Sequence, residues 1–201
     1  MRALTSALLL LTVATVSTAS DIGLSGAEGH PRARFPLRVY AAPVGKADLD
    51  AAIRRAVLDW NAAALEALGT PVFAWSEEPA GAHVIVTVEP RASDRLMGQT
   101  EIGRGADGSI ALPVRVAIFD TASRGQTHAA TLLYQIAGHE LGHALGLEHT
   151  RDPRSIMCCV RGSIDFNDPV ARQAYLDARR HPAVGTATAQ LRAHYERFWS
   201  Q

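Results

Sequence analysis

The stretch that most constrains this chain is His139-Glu140-Leu141-Gly142-His143-Ala144-Leu145-Gly146-Leu147-Glu148-His149. On a helix, His139 and His143 stand one turn apart on the same face. Two imidazoles so placed bind one Zn²⁺ from one side, with Zn–N near ~2.0–2.1 Å. A helix running straight on would carry His149 away from that ion. Gly146 removes the difficulty, because glycine accepts the left-handed conformation that ends helices and lets the chain turn back. His149 then arrives as a third ligand. Three protein ligands leave a fourth position for water, which is the arrangement of a catalytic rather than a structural zinc. Glu140 follows a ligand directly and so points beside the metal, where it can take a proton from the zinc-bound water as general base. The pattern reads as metal-assisted amide hydrolysis. HExxH alone recurs in unrelated helices, whereas HExxHxxGxxH fixes five positions and is far more selective. The plain alternative is a helix with surface histidines and a capping glycine. It leaves Glu140, Gly146 and His149 unexplained together.

The 201 residues suffice for one ordinary domain, and 47% hydrophobic content supports a core. Twenty basic and twenty acidic residues balance. Nucleic acid and anionic membrane call for a basic excess, so neither is an expected partner, and a monomer is expected. Met1-Arg2, the apolar run Ala7 to Val16 and Ser17-Thr18-Ala19 have the order of a secretory signal cleaved after Ala19. About ten apolar residues cannot cross ~30 Å of hydrocarbon as a helix. Residues 1–19 are therefore expected to be a signal peptide, and the mature protein extracellular or periplasmic. Residues 20–34, rich in glycine and charge, read as a flexible lead-in to a catalytic domain over 35–201.

Within that domain, Phe35 to Tyr40 alternates as a strand does. Ala47 to Ala67 carries Leu49, Ile53, Val57 and Trp60 at helical spacing, with Asp48 or Asp50 in its first turn and Gly69 as its stop. Val72 to Trp75, His83 to Val88, Leu96 to Ile102 and Val114 to Asp120 read as further strands. His83 has no partner at ligand spacing and is read as a strand-edge residue. Gln126 to Leu145 is the helix that bears the motif. Asp168-Pro169 starts another helix that Pro182 stops near Arg180. A last helix is expected from Thr186 to Trp199.

Ser155-Ile156-Met157, shortly after the histidines, resembles the Met-turn of the metzincins, and the chain as a whole resembles a matrixin-type metzincin peptidase. Ala52-Ile53-Arg54-Arg55-Ala56-Val57-Leu58-Asp59-Trp60 resembles that family's first helix. Ala82-His83-Val84-Ile85-Val86 resembles the strand after it, Ile118-Phe119-Asp120 the end of its fifth strand, and Asp152-Pro153 the approach to the Met-turn. The likeness covers roughly residues 35–180 and is strongest over 132–157. It implies an α+β, zincin-like fold: a twisted, mostly parallel five-stranded sheet, a long N-terminal helix, an active-site helix, and C-terminal helices after the Met-turn. It implies one catalytic Zn²⁺ on His139, His143 and His149, Glu140 as general base, and Met157 as an apolar floor that does not coordinate. Gly98, Gln99 and Thr100 would lie on the rim of a cleft that takes protein or peptide substrate as an added extended strand. The segment after Met157 would wall the main specificity pocket.

The sequence also departs from that family. The long loop that carries a second zinc and calcium there is reduced to Arg91-Ala92-Ser93-Asp94, and the histidine of the fifth strand is Ile118. A second zinc is not expected. Asp120 matches a calcium carboxylate while Ser123 replaces its acidic companion, which leaves Ca²⁺ open. Cys158 and Cys159 are the whole cysteine complement, side by side where the family has an aromatic residue and proline. A vicinal bridge, a bond to another chain and free thiols all remain open, as does a thiolate that silences the zinc. The functional expectation is a secreted zinc-dependent endopeptidase. The alternatives are an enzyme acting on cell-wall peptide amides and a zinc-containing binding module without hydrolytic activity.

Overall fold

Alternation along the strands decides which face of the sheet meets the helices. In β1 (Leu37–Ala41) the side chains of Leu37 and Val39 are buried and Arg38 between them is exposed. The computed structural model describes residues 24–90, 97–119 and 127–201, and four further strands follow the same logic. They are β2 (Phe73–Trp75), β3 (Val84–Glu89), β4 (Gly98–Glu101) and β5 (Val114–Phe119). The sheet order is β2-β1-β3-β5-β4, and every pairing is parallel except β4 against β5. Val84, Val86, Val114, Val116 and Ile118 point into one core. The expected α+β architecture with a mostly parallel five-stranded sheet is what the chain adopts.

Two helices pack together on the buried face. Helix α1 (Ala47–Leu68) buries Leu49, Ile53, Ala56, Val57, Trp60 and Ala64, a stripe at three- and four-residue steps, and Gly69 ends it in the left-handed conformation. Trp60 is fully buried, and its indole N–H donates to the Gly138 carbonyl of α2 (Ala129–Ala144) at 2.8 Å. A polar group buried in this core needs a partner, so the indole fixes how α1 lies against α2. Helix α2 starts at Ala129, later than expected. Thr127 sits in a β-bridge and His128 is the extended N-cap residue. Helix α3 (Pro169–Arg180) begins where Asp168 accepts from the Val170 N–H. The last helix also begins later than expected: residues 184–187 form a 3-10 turn before α4 (Thr188–Phe198). Thr186 is held there because its hydroxyl oxygen accepts from the Ile156 N–H at 2.8 Å.

The described part of the supposed lead-in is not loose. Residues 24–34 pack behind the end of α2, with Glu28 and His30 buried and Gly29 paired with Ser109. Its polar residues find partners here that charge content alone does not reveal. Ser25 and Arg104 both donate to the Glu28 carboxylate. His30 Nε2–H donates to the Ala144 carbonyl at 2.9 Å, and Arg34 donates to His30 Nδ1. Tyr195 donates to the Leu145 carbonyl at 2.9 Å. Two carbonyls that the helix end leaves without an intrahelical partner are thus capped from elsewhere in the chain. The expected signal segment 1–19, the loop Arg91–Asp94, Leu96, Asp120, Ser123 and Gln126 lie outside the described residues. Among the described residues no helix is long and apolar enough to cross a membrane.

His30 makes acid stability a measurable consequence. Burial, together with the charge of Arg34, holds its pKa down to about 4, and burial does the same for His194. A neutral native imidazole with an unfolded value of ~6.5 contributes stability in full above that pH. The contribution is lost as pH falls from about 6.5 toward 4, because the unfolded chain binds the proton first. Between pH 7 and 4.5 the unfolding free energy from urea titrations should fall by about 2 kcal/mol more in the wild type than in His30→Gln. Parallel curves for the two proteins would show that His30 is not held neutral.

Candidate active site

The last turn of α2 and the loop after it bring three imidazoles to one point. His139 and His143 lie one turn apart, and the chain reverses at Gly146, whose φ is +88°. A β-carbon there would run into the Glu28 carbonyl and come within 3.0 Å of His194. The bend therefore needs glycine both for its backbone angle and for the packed segment behind it. His149 follows, and the three Nε2 atoms form a triangle with edges of 3.0, 3.1 and 3.2 Å.

The opposite ring nitrogens show which protons the histidines carry. His139 Nδ1 lies 2.8 Å from the Ile156 carbonyl and His143 Nδ1 lies 2.7 Å from the Leu147 carbonyl. A carbonyl can only accept, so each Nδ1 carries the hydrogen and each neutral ring turns the lone pair of Nε2 toward the triangle. Burial, and after it the close neighbour His143, hold His139 well below the ordinary imidazole range, which favours this neutral form. Lone pairs facing one another at about 3 Å repel unless a cation lies among them. Tetrahedral bonds of ~2.0–2.1 Å set ligand nitrogens about 3.3 Å apart, close to the observed edges. The donor set, its spacing and its backbone-oriented tautomers all fit zinc.

Glu140 sits beside this cluster, 3% exposed. Its carboxylate lies against Gly98 and Thr100 of β4. Below the histidines, Ser155 to Met157 turn sharply, with the Ser155 hydroxyl oxygen accepting from the Met157 N–H at 3.1 Å. Met157 is fully buried and packs on Gly142, the residue before His143, where a β-carbon would collide with its sulfur. The Thr150 N–H donates to the Met157 carbonyl at 2.9 Å, so the loop that carries His149 is tied to this turn.

Residues 74–168 match the family model described as Matrixin. Over that stretch the chain resembles the matrixins. It is also 50% identical over 42 residues to macrophage metalloelastase of Oryctolagus cuniculus, a match that covers 21% of this chain and 9% of that protein.

Within the matched stretch the structure places His139, Glu140, His143, His149 and Met157 close to one another. The rim residues divide. Gly98 and Thr100 face inward toward Glu140, while Gln99 points to the opposite face of the sheet, among Glu89, Glu101 and Arg115. Cys158 and Cys159 are bonded to each other, so in this form neither sulfur is a thiolate. Arg179 of α3 donates to the Cys158 carbonyl at 3.1 Å and ties that helix to the segment after the Met-turn. Sequence reasoning missed the Ile156 and Leu147 carbonyls, because a backbone acceptor carries no side-chain signature. It also missed His30 and Tyr195, which reach the helix end from distant parts of the chain.

Proposed function

We propose that this chain is a secreted zinc-dependent endopeptidase that hydrolyses internal amide bonds of proteins or peptides. The observation that carries the reading is the triangle of three Nε2 atoms beside a buried carboxylate. His139, His143 and His149 would hold the ion, with Met157 as an apolar floor that does not coordinate. Zinc bound there supplies a Lewis acid that lowers the pKa of water and polarises a carbonyl. Glu140 takes the proton of the attacking water and returns it to the departing amine nitrogen. The buried helices exclude bulk water from one side of the carboxylate, which strengthens its interactions. Strand β4 is an edge of the sheet, and substrate would add to it in extended form through main-chain hydrogen bonds. The order of residues 1–19 supports export.

The test is cleavage of a quenched peptide library. Activity should vanish with a chelator and return with added zinc. A protein that holds one zinc per chain and cleaves nothing is the binding module instead. Parallel assays on casein, gelatin and muropeptides separate a general endopeptidase from an enzyme of cell-wall peptides.

A further inference from the structure

Strand β4 does more than border the cleft. Its pairing with β5 sets Gly98 opposite Ile118 and Thr100 opposite Val116, so the two alternate residues share the inward face. That face meets α2 at Glu140. Thr100 is 2% exposed, and its Oγ1 lies 2.7 Å from Glu140 Oε2 and 3.1 Å from the Glu140 main-chain oxygen. A threonine hydroxyl has one hydrogen to give, and the nearer, charged oxygen is the stronger acceptor. At Gly98 a β-carbon would stand 2.5 Å from Glu140 Oε1 and 2.8 Å from its Cγ. The strand thus holds one carboxylate oxygen by a donated hydrogen bond and leaves room for the other by lacking a side chain.

We propose that Thr100 is the positioning residue for Glu140: its hydroxyl fixes the rotation of the carboxylate beside the three histidines. This rests on the reading of Glu140 as general base. A base that must meet a proton within a few tenths of an ångström loses rate when its carboxylate can swing, even with every metal ligand intact. Substrate binding through the main chain of β4 does not need the hydroxyl, so the effect belongs in kcat rather than in KM.

Thr100→Val keeps the shape and removes the donor, whereas Thr100→Ser keeps the donor. With zinc content and melting temperature held equal, kcat of the valine variant should fall about 10- to 100-fold with KM within about twofold. The serine variant should recover kcat to within about threefold of wild type. If valine fails to fold, alanine against serine decides the same point. A second readout needs no turnover. In metal-free protein the ¹³Cδ resonance of Glu140, assigned by its loss in Glu140→Gln, should move in Thr100→Val and return in Thr100→Ser. A valine or alanine variant with wild-type kcat, a serine variant that rescues nothing, or a resonance that does not move in Thr100→Val overturns the assignment of Thr100. A wild type that binds zinc but cleaves nothing overturns the endopeptidase reading instead, and the resonance then decides on the hydroxyl contact alone.

Discussion

Glu140→Ala should bind one zinc per chain with near wild-type affinity and lose about 10²–10⁴-fold in turnover. The two effects separate because the structure separates their causes. The histidines are oriented by the Ile156 and Leu147 carbonyls and by the bend at Gly146, none of which involves the Glu140 side chain. The carboxylate is buried between α2 and β4, and its removal leaves the Thr100 hydroxyl a second acceptor in the Glu140 main-chain oxygen. Deleting a buried charge removes a desolvation penalty, so the melting temperature of the variant should hold or rise. Metal analysis alongside steady-state kinetics checks the prediction. Full turnover by the alanine variant would remove Glu140 from the mechanism, and loss of zinc with loss of turnover would make it a structural residue.

Gly146→Ala should damage both stability and metal binding. A β-carbon at φ +88° costs ~1–2 kcal/mol from the backbone alone. Here it also meets the Glu28 carbonyl, a main-chain atom that cannot swing aside as a side chain would. Relief requires moving either the packed segment of residues 24–34 or the loop that brings in His149. A total loss of about 2–4 kcal/mol follows. Losing a group that merely orients a ligand costs ~10–100-fold in metal affinity, and displacing His149 itself should cost no less. Zinc titration calorimetry with a thermal melt measures both. An alanine variant that binds zinc as tightly as wild type would show that the bend does not set the third ligand.

The local steps were legible in the sequence because their causes are local. The spacing of His139 and His143, the glycine at 146, the Asp168-Pro169 start and the apolar stripe on α1 each depend on residues within a turn or two of one another. The boundaries that moved are those where a distant group competes with local preference. The hydroxyl of Thr186 is taken up by the Met-turn, and the last α-helix starts two residues later than its propensity suggests. Residues 24–34 look like solvent-exposed chain by composition, yet Arg104, Ala144 and Gly146 supply contacts that lie 76 or more positions downstream.

What the order of residues determined by itself was the cluster of three histidines and the position of the carboxylate beside it, since a helical period and one glycine bend suffice to place them. Only the tertiary structure decided how tightly those groups are held. The tautomers of His139 and His143 come from carbonyls on other turns of the chain, the helix end is capped by His30 and Tyr195, and Thr100 arrives from an edge strand forty residues before Glu140. Hydrogen bonds act over about 3 Å of space whatever the separation along the chain. A sequence pattern records the second distance and not the first.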